Sequence, residues 1–194
     1  MQVQLQSIQL GRAGVLLVQG RSIQSAIRKH PVHGDVAVAT LGMVGDEQVD
    51  LSVHGGLDKA VYAYPLEHYP FWQQERLAAG VANAEAALPM GFVGENLSIS
   101  GLLEANVWVG DLLRFPRCVL RVTQPREPCY KFNAVMGFAQ AAKRMAQSGR
   151  CGFYLAVEEG GVLCAGQTGV LEPGPRSYTI AQRFATKMNK HLRD

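Results

Sequence analysis

Apolar and polar positions in this chain alternate mostly over short stretches, and that period predicts strands more often than helices. Val3, Leu5, Ile8 and Leu10 are apolar with polar residues between them, the pattern of a half-buried strand with one slip. Gly11 and Gly14 predict a turn, with Val15 to Val18 as the returning strand. Ser25 to Arg28 reads as extended and exposed, and Val36 to Leu41 as another short strand ending at Gly42 and Gly45. Val61 to Tyr64 is apolar and aromatic. Pro65 then opens a helix whose stripe is Leu66, Tyr69, Trp72 and Leu77, with Pro70 giving a break or a fresh first turn. Ala78 to Leu88 is a loop or a short helix.

Further along, Val107 to Gly110, Leu112 to Phe115 and Val119 to Val122 give three strand-like runs, and Gly110-Asp111 has hairpin composition. A helix follows from about Phe138 to Gln147, with Phe138, Ala142 and Met145 on its apolar face and Gly149 beyond its end. Gly152 to Val157 reads as a buried strand, Val162 to Ala165 as its partner and Thr168 to Leu171 as a last strand. After Pro173-Gly-Pro175, Thr179 caps a final helix with Ile180, Phe184, Met188 and Leu192 on one drifting stripe. That stripe needs a surface to cover, on this chain or on a second copy in a homodimer. Many short strands, few helices and no βαβ alternation predict a mainly β (α+β) fold: an antiparallel barrel or sandwich with helices attached.

Composition narrows the functional classes. The chain has 194 residues, 47% hydrophobic and 18% charged, which suits one large domain with a real core. A net charge of +3 gives no reason to expect nucleic acid as a partner. No run approaches the roughly 18 apolar residues of a membrane helix, so no membrane partner is expected. The first residues lack a basic region followed by an apolar core, which makes the cytoplasm the expected location. Cys118, Cys129, Cys151 and Cys164 have no metal-finger spacing and, in a reducing compartment, read as free thiols.

One of those thiols stands apart. In Gln124-Pro-Arg-Glu-Pro-Cys129-Tyr-Lys131, two prolines hold Gln124 and Glu127 out of a helix and present Cys129 on a stiff loop, with Arg126 and Lys131 close in sequence. Nearby cations stabilise a thiolate, which is both the nucleophile and the metal ligand. A second stretch, His54-Gly55-Gly56-Leu-Asp-Lys59, combines two permissive glycines with a base and a cation, although taken alone a plain glycine turn beside a solvated lysine accounts for it more simply. In a third, Glu95 and Asn96 lie between apolar residues, where burial requires partners, either from neighbouring backbone or from a ligand.

Taken in order, the His54-Gly-Gly…Asp58-Lys segment, Gly94-Glu-Asn-Leu97, Gly110-Asp111 and Gln124-Pro-Arg-Glu-Pro-Cys129-Tyr-Lys resemble a MOSC domain, named after the C-terminus of molybdenum cofactor sulfurase. The likeness runs from about Ser25 to Leu171 and is strongest to stand-alone bacterial MOSC proteins that reduce N-hydroxylated bases such as 6-hydroxylaminopurine. It implies a β-barrel with peripheral helices over residues 1–173 and a short helical extension over 174–194. It implies the molybdenum cofactor as ligand, with Cys129 supplying the protein thiolate to molybdenum. The substrate would be a small N-hydroxylated compound, and electrons would come from a separate flavin or haem reductase. Relatives of this type often carry about three helices at the C-terminus, whereas this chain has room for one.

The residue chemistry agrees with that picture. A soft thiolate suits a molybdenum centre that already carries sulfur donors. Arg126 offers a planar bidentate contact to a pterin phosphate, and Lys59 and Lys131 offer point charges. His54, Gly55 and Gly56 let main chain approach the cofactor, and the Asn96 amide can read a pterin edge. Two other functions fit the same residues: a non-enzymatic carrier of the cofactor, or a sulfur carrier through a Cys129 persulfide.

Overall fold

The structure, a computed structural model, describes residues 1–49 and 55–191. Its strands are β1 (Gln2–Gly11), β2 (Gly14–Val18), β3 (Arg21–Ser25), β4 (Lys29–Val32), β5 (Val36–Ala39), β6 (Gly42–Met43), β7 (Val61–Pro65), β8 (Leu97–Ser100), β9 (Leu112–Phe115), β10 (Cys118–Pro125), β11 (Phe153–Glu159), β12 (Gly161–Leu163) and β13 (Thr168–Glu172). The helices are α1 (Tyr69–Ala78), α2 (Tyr130–Met136), α3 (Ala141–Ser148) and α4 (Ile180–His191). Seven strands close a barrel in the order β13-β9-β10-β11-β7-β8-β1, with β13 pairing back to β1 and β4 added outside β1. Only β7 and β8 run parallel; the other barrel pairs are antiparallel. Closure removes the open sheet edges that otherwise invite aggregation.

The slip in the β1 pattern has a structural counterpart. Its register against β8 shifts between Leu5 and Ser7, a β-bulge. One extra residue there restores the phase, so Val3, Leu5 and Ile8 are all fully buried. Opposite them, Leu97, Ile99, Leu113, Leu120, Val122, Phe153 and Leu155 fill the barrel.

Several elements differ from the sequence expectation. Val15 to Val18 does not return onto β1; it pairs with β3. The tight turn lies at Gln19-Gly20, where both residues have positive φ, as a two-residue hairpin loop requires. Ser25 ends β3 and is buried, and within Ser25 to Arg28 only Arg28 is exposed. Val107 to Gly110 is no strand; it contributes one isolated bridge, Trp108 to Thr179. β12 pairs with β5 and not with β11, because Leu163 must bury itself with Val36 and Val38. The segment Tyr130–Met136, with no assigned element in the sequence reading, is helix α2.

The helix after Pro65 starts with a 3-10 turn, Leu66–His68, and α1 proper begins at Tyr69 with Pro70 in its first turn. Trp72 is fully buried, with its Nε1 donating to the Tyr64 hydroxyl at 2.5 Å, but Leu77 is exposed and outside the core. α3 starts at Ala141, three residues later than expected, and Gly149 caps it in the left-handed conformation. Thr179 caps α4 reciprocally: Gln182 N donates to Thr179 Oγ1 at 3.1 Å, and Thr179 N donates to Gln182 Oε1 at 2.9 Å. Ile180 and Phe184 then bury themselves in the same core as the barrel, while Leu192 lies outside the described residues.

Candidate functional site

The site forms where β10 leaves the barrel. The β10–β11 register shifts between Val122 and Gln124, a second bulge at the strand end. Thr123 Oγ1, at the bulge, lies 2.5 Å from Asp58 O and 3.0 Å from Tyr154 O. One threonine therefore ties the turn at Leu57–Lys59 to the strand that feeds the cysteine loop. Two stretches some 65 residues apart in sequence are brought side by side.

The pocket they bound is lined by Gly55, Lys59, Asn96, Arg126 and Lys131, all expected from sequence, and by Lys29, Asp46, Gln48, Tyr62, Gly94 and Tyr154, which were not. Cys129 follows Arg126 by three residues and caps α2, with Phe132 N donating to its carbonyl at 3.0 Å. It is half-buried and is not itself among the residues that line the pocket, although Arg126 and Lys131, on either side of it in the chain, are. Gly56 flanks the pocket through its neighbour Gly55, and His54 lies outside the described residues. Gly55 and Gly56 both have positive φ, the backbone geometry that the paired glycines were expected to supply.

Arg126 is the dominant charge. Its side chain is buried, yet among the described residues no carboxylate pairs with it. Its guanidinium lies 5.1 Å from the Tyr62 ring centre and 5.3 Å from that of Phe132. Burial opposes its charge, but Tyr62 and Cys129 favour it, and the net shift is upward. Lys59 sits 5.8 Å from the centre of the Tyr154 ring. Tyr62 and Tyr154 have pKa values raised by burial against the pull of Arg126, so both stay protonated hydroxyls. Deeper in the pocket, Lys29 pairs with Asp46, and burial lowers the lysine pKa against that partner's pull.

Asn96 is the structural hub of the pocket floor. Its Oδ1 accepts from Tyr62 N at 3.1 Å, and its Nδ2 donates to Gln9 O at 3.3 Å and Asp46 Oδ2 at 2.9 Å. Both amide hydrogens are committed to the protein, so the side chain braces β7, β1 and the Asp46 loop and has no hydrogen to spare for a pterin edge. Its neighbour Glu95 is fully buried and accepts from the Tyr69 hydroxyl, Gly91 N and Ser98 Oγ. Gly94, at φ +92°, lets Ile27 close over the floor; a Cβ there would sit 2.8 Å from Ile27 Cγ1.

The remaining cysteines fall away as candidates. Cys118 and Cys151 are buried, which pushes the Cys118 thiol up to about 11 and the Cys151 thiol up as well. Cys164 is half-buried like Cys129, but the pocket residue nearest to it in the chain is Tyr154, ten positions away, whereas Lys131 is two positions from Cys129. Among the described residues, no cluster of three His, Cys, Asp or Glu side chains is placed to hold a metal by itself.

Lys29, Asp46 and Gln48 escaped sequence reasoning. Asp46 and Gln48 stand in a polar stretch after Gly45, and Lys29, at the start of β4, carried no such signal. Tyr62 and Tyr154 escaped because strand aromatics read as core, which they also are.

The class is a closed, mainly β barrel with a pocket lined by Lys29, Lys59, Arg126 and Lys131, and a half-buried cysteine on the Pro-flanked loop that carries the arginine. The MOSC domain sequence profile matches residues 50–169, and the chain belongs to that family. It is 38% identical over 186 residues to the uncharacterized protein YflK of Bacillus subtilis, covering 95% of this chain and 80% of that one. It is 41% identical over 133 residues to YiiM of Escherichia coli, 69% of this chain and 57% of that protein. It is 35% identical over 177 residues to a Gibberella moniliformis protein named reductase, of which it spans only 30%. The crystal structure of YiiM from Geobacillus stearothermophilus superposes with a TM-score of 0.76 at 30% identity, covering 97% of this chain and 85% of that one. E. coli YiiM gives 0.69 at 31% identity, over 92% and 78%. No helix among the described residues is long and apolar enough to cross a membrane.

Proposed function

We propose that this protein is a molybdenum-cofactor-dependent reductase of small N-hydroxylated compounds. The observation that carries the reading is Arg126: a buried guanidinium with no carboxylate partner among the described residues, lining a pocket with Lys59 and Lys131 and three residues from Cys129. Met145 Sδ and Tyr154 meet the guanidinium as neutral partners, but a buried charge without an opposite charge is costly, and an anion such as a pterin phosphate relieves that cost. The family membership and the relative named reductase point the same way.

In this reading the overall reaction takes N–OH, two electrons and two protons to N–H and water. The bound molybdenum centre would supply the two-electron chemistry. Cys129 holds the metal through its thiolate. Arg126, Lys59 and Lys131 bind the phosphate, Arg126 as a fork and the lysines as point charges. Gly55 and Gly56 allow main chain to approach, His54 supplies a donor beside them, and Asn96 keeps the floor in place. The electron donor is a separate flavin or haem reductase.

The test is molybdenum and pterin content of wild type and Cys129→Ala after production in a host that makes the cofactor, followed by reduction of hydroxylaminopurine. Wild type should carry both in near-equal amounts and turn over. The variant should lose molybdenum and activity. Cofactor without turnover would make the protein a carrier, and neither metal nor pterin in wild type would sink the proposal.

A further inference from the structure

The cysteine loop is poorly held by its own backbone. Pro125 and Pro128 have no N–H to donate. The Arg126 N–H reaches Gly152 O only at 3.5 Å, at the limit of a hydrogen bond. Side chains take over. Arg126 points inward and is buried over Tyr62 and Phe132. Glu127 points outward, and there it meets Lys187 of α4. The Lys187 ammonium pairs with the Glu127 carboxylate and lies 3.4 Å from Gln124 Oε1.

The helix that carries Lys187 is itself anchored. Ile180 N donates to Val107 O at 2.8 Å and Ala181 N to Glu104 O at 3.0 Å. Phe184, one turn before Lys187 and on the same side of the helix, is 2% exposed. The core thus fixes where Lys187 reaches. The loop is held from inside by one charged handle and from outside by another, 60 residues further along the chain.

We propose that Lys187 is a positioning residue for Cys129: α4 grips the outer side of the loop through Glu127 and Gln124 and fixes where the thiol is presented. This rests on the reading of Cys129 as the metal ligand. It gives the single C-terminal helix of this chain a task at the site.

The test uses the full-length protein with Lys187→Met, Lys187→Arg and Glu127→Gln. Two quantities are read: amide hydrogen exchange of the 124–131 segment in cofactor-free protein, and molybdenum retained per chain on dialysis after production with the cofactor. Lys187→Met and Glu127→Gln should speed exchange of that segment by about fivefold, the factor equivalent to ~1 kcal/mol. Exchange in β7 and β11 should stay at the wild-type rate. Both variants should retain less molybdenum, and Lys187→Arg should restore both quantities. Wild-type exchange in Lys187→Met overturns the proposal, as does molybdenum loss without faster loop exchange or failure of Lys187→Arg to restore. If the exchange responses hold but wild type retains no molybdenum, the grip on the loop stands and the assignment of Cys129 as ligand fails.

Discussion

Asn96→Ala separates bracing from ligand recognition at the pocket floor. The substitution removes three hydrogen bonds at once, to Tyr62 N, Gln9 O and Asp46 Oδ2. Their costs differ. Asp46 keeps Lys29 and the Gly11 N–H, at 2.7 Å, so its loss is small. The Tyr62 N–H is buried in the core and is left without an acceptor. Stranding a buried donor costs ~1–3 kcal/mol, and the lost bonds to Gln9 and Asp46 add ~1 kcal/mol, for a total of about 2–4 kcal/mol. With a urea m-value on the order of 2 kcal/mol/M, the unfolding midpoint should fall by about 1–2 M at unchanged m. The assay is equilibrium urea unfolding of cofactor-free protein, followed by tryptophan fluorescence. A loss below ~1 kcal/mol in that cofactor-free form would refute the bracing argument and return Asn96 to the ligand.

Two other outcomes follow from the same geometry. Gly94→Ala forces a side chain into φ +92° and against Ile27, and should cost about 1–3 kcal/mol in the same urea assay; a neutral result would mean that the floor is softer than its packing implies. Burial works against the charge on Glu104, but His68 Nε2 at 2.8 Å and the Gly152 N–H at 2.7 Å prevail and lower its pKa. A depressed carboxylate pKa contributes stability that is present above the unfolded value, about 4.3, and is lost as pH falls through the folded one. Wild type should therefore lose more stability than Glu104→Gln between neutral pH and pH below about 4, and parallel curves would refute the linkage.

Much of the barrel was legible because strand burial has a short period. In β1 even the irregularity was visible, since a slip in the alternation is what a bulge looks like in sequence. Pairing was not legible. Nothing local in Val15 to Val18 says that its partner is β3, because the deciding turn at Gln19-Gly20 depends on two positive φ angles and only one of those residues is glycine. β12 chose β5 for a reason that exists only in three dimensions, a shared pocket for Leu163. At the site, residues on special backbone were legible: Gly55, Gly56 and Cys129 stand beside glycines or prolines that few other structures need. Residues whose role comes from distant partners were not. Asn96 showed only that it was a polar residue among apolar ones, and nothing in the sequence sets Lys187 apart from Arg183 and Lys190 in the same helix.

That division explains how the cysteine comes to stand beside a cation so deeply buried. A guanidinium needs strong compensation to sit in a core, and Arg126 obtains part of it from aromatic faces and part from its neighbours in the pocket. The bulge at Val122–Gln124 turns the strand end, Pro125 and Pro128 prevent the loop from relaxing into a helix, and Thr123 locks the turn of Lys59 against it. Each device is weak alone. Together they oblige Arg126 to face inward while the chain continues to a half-buried Cys129. A loop free to choose would turn that charge out to water. Its inward orientation is the feature on which the proposal of an anionic ligand rests.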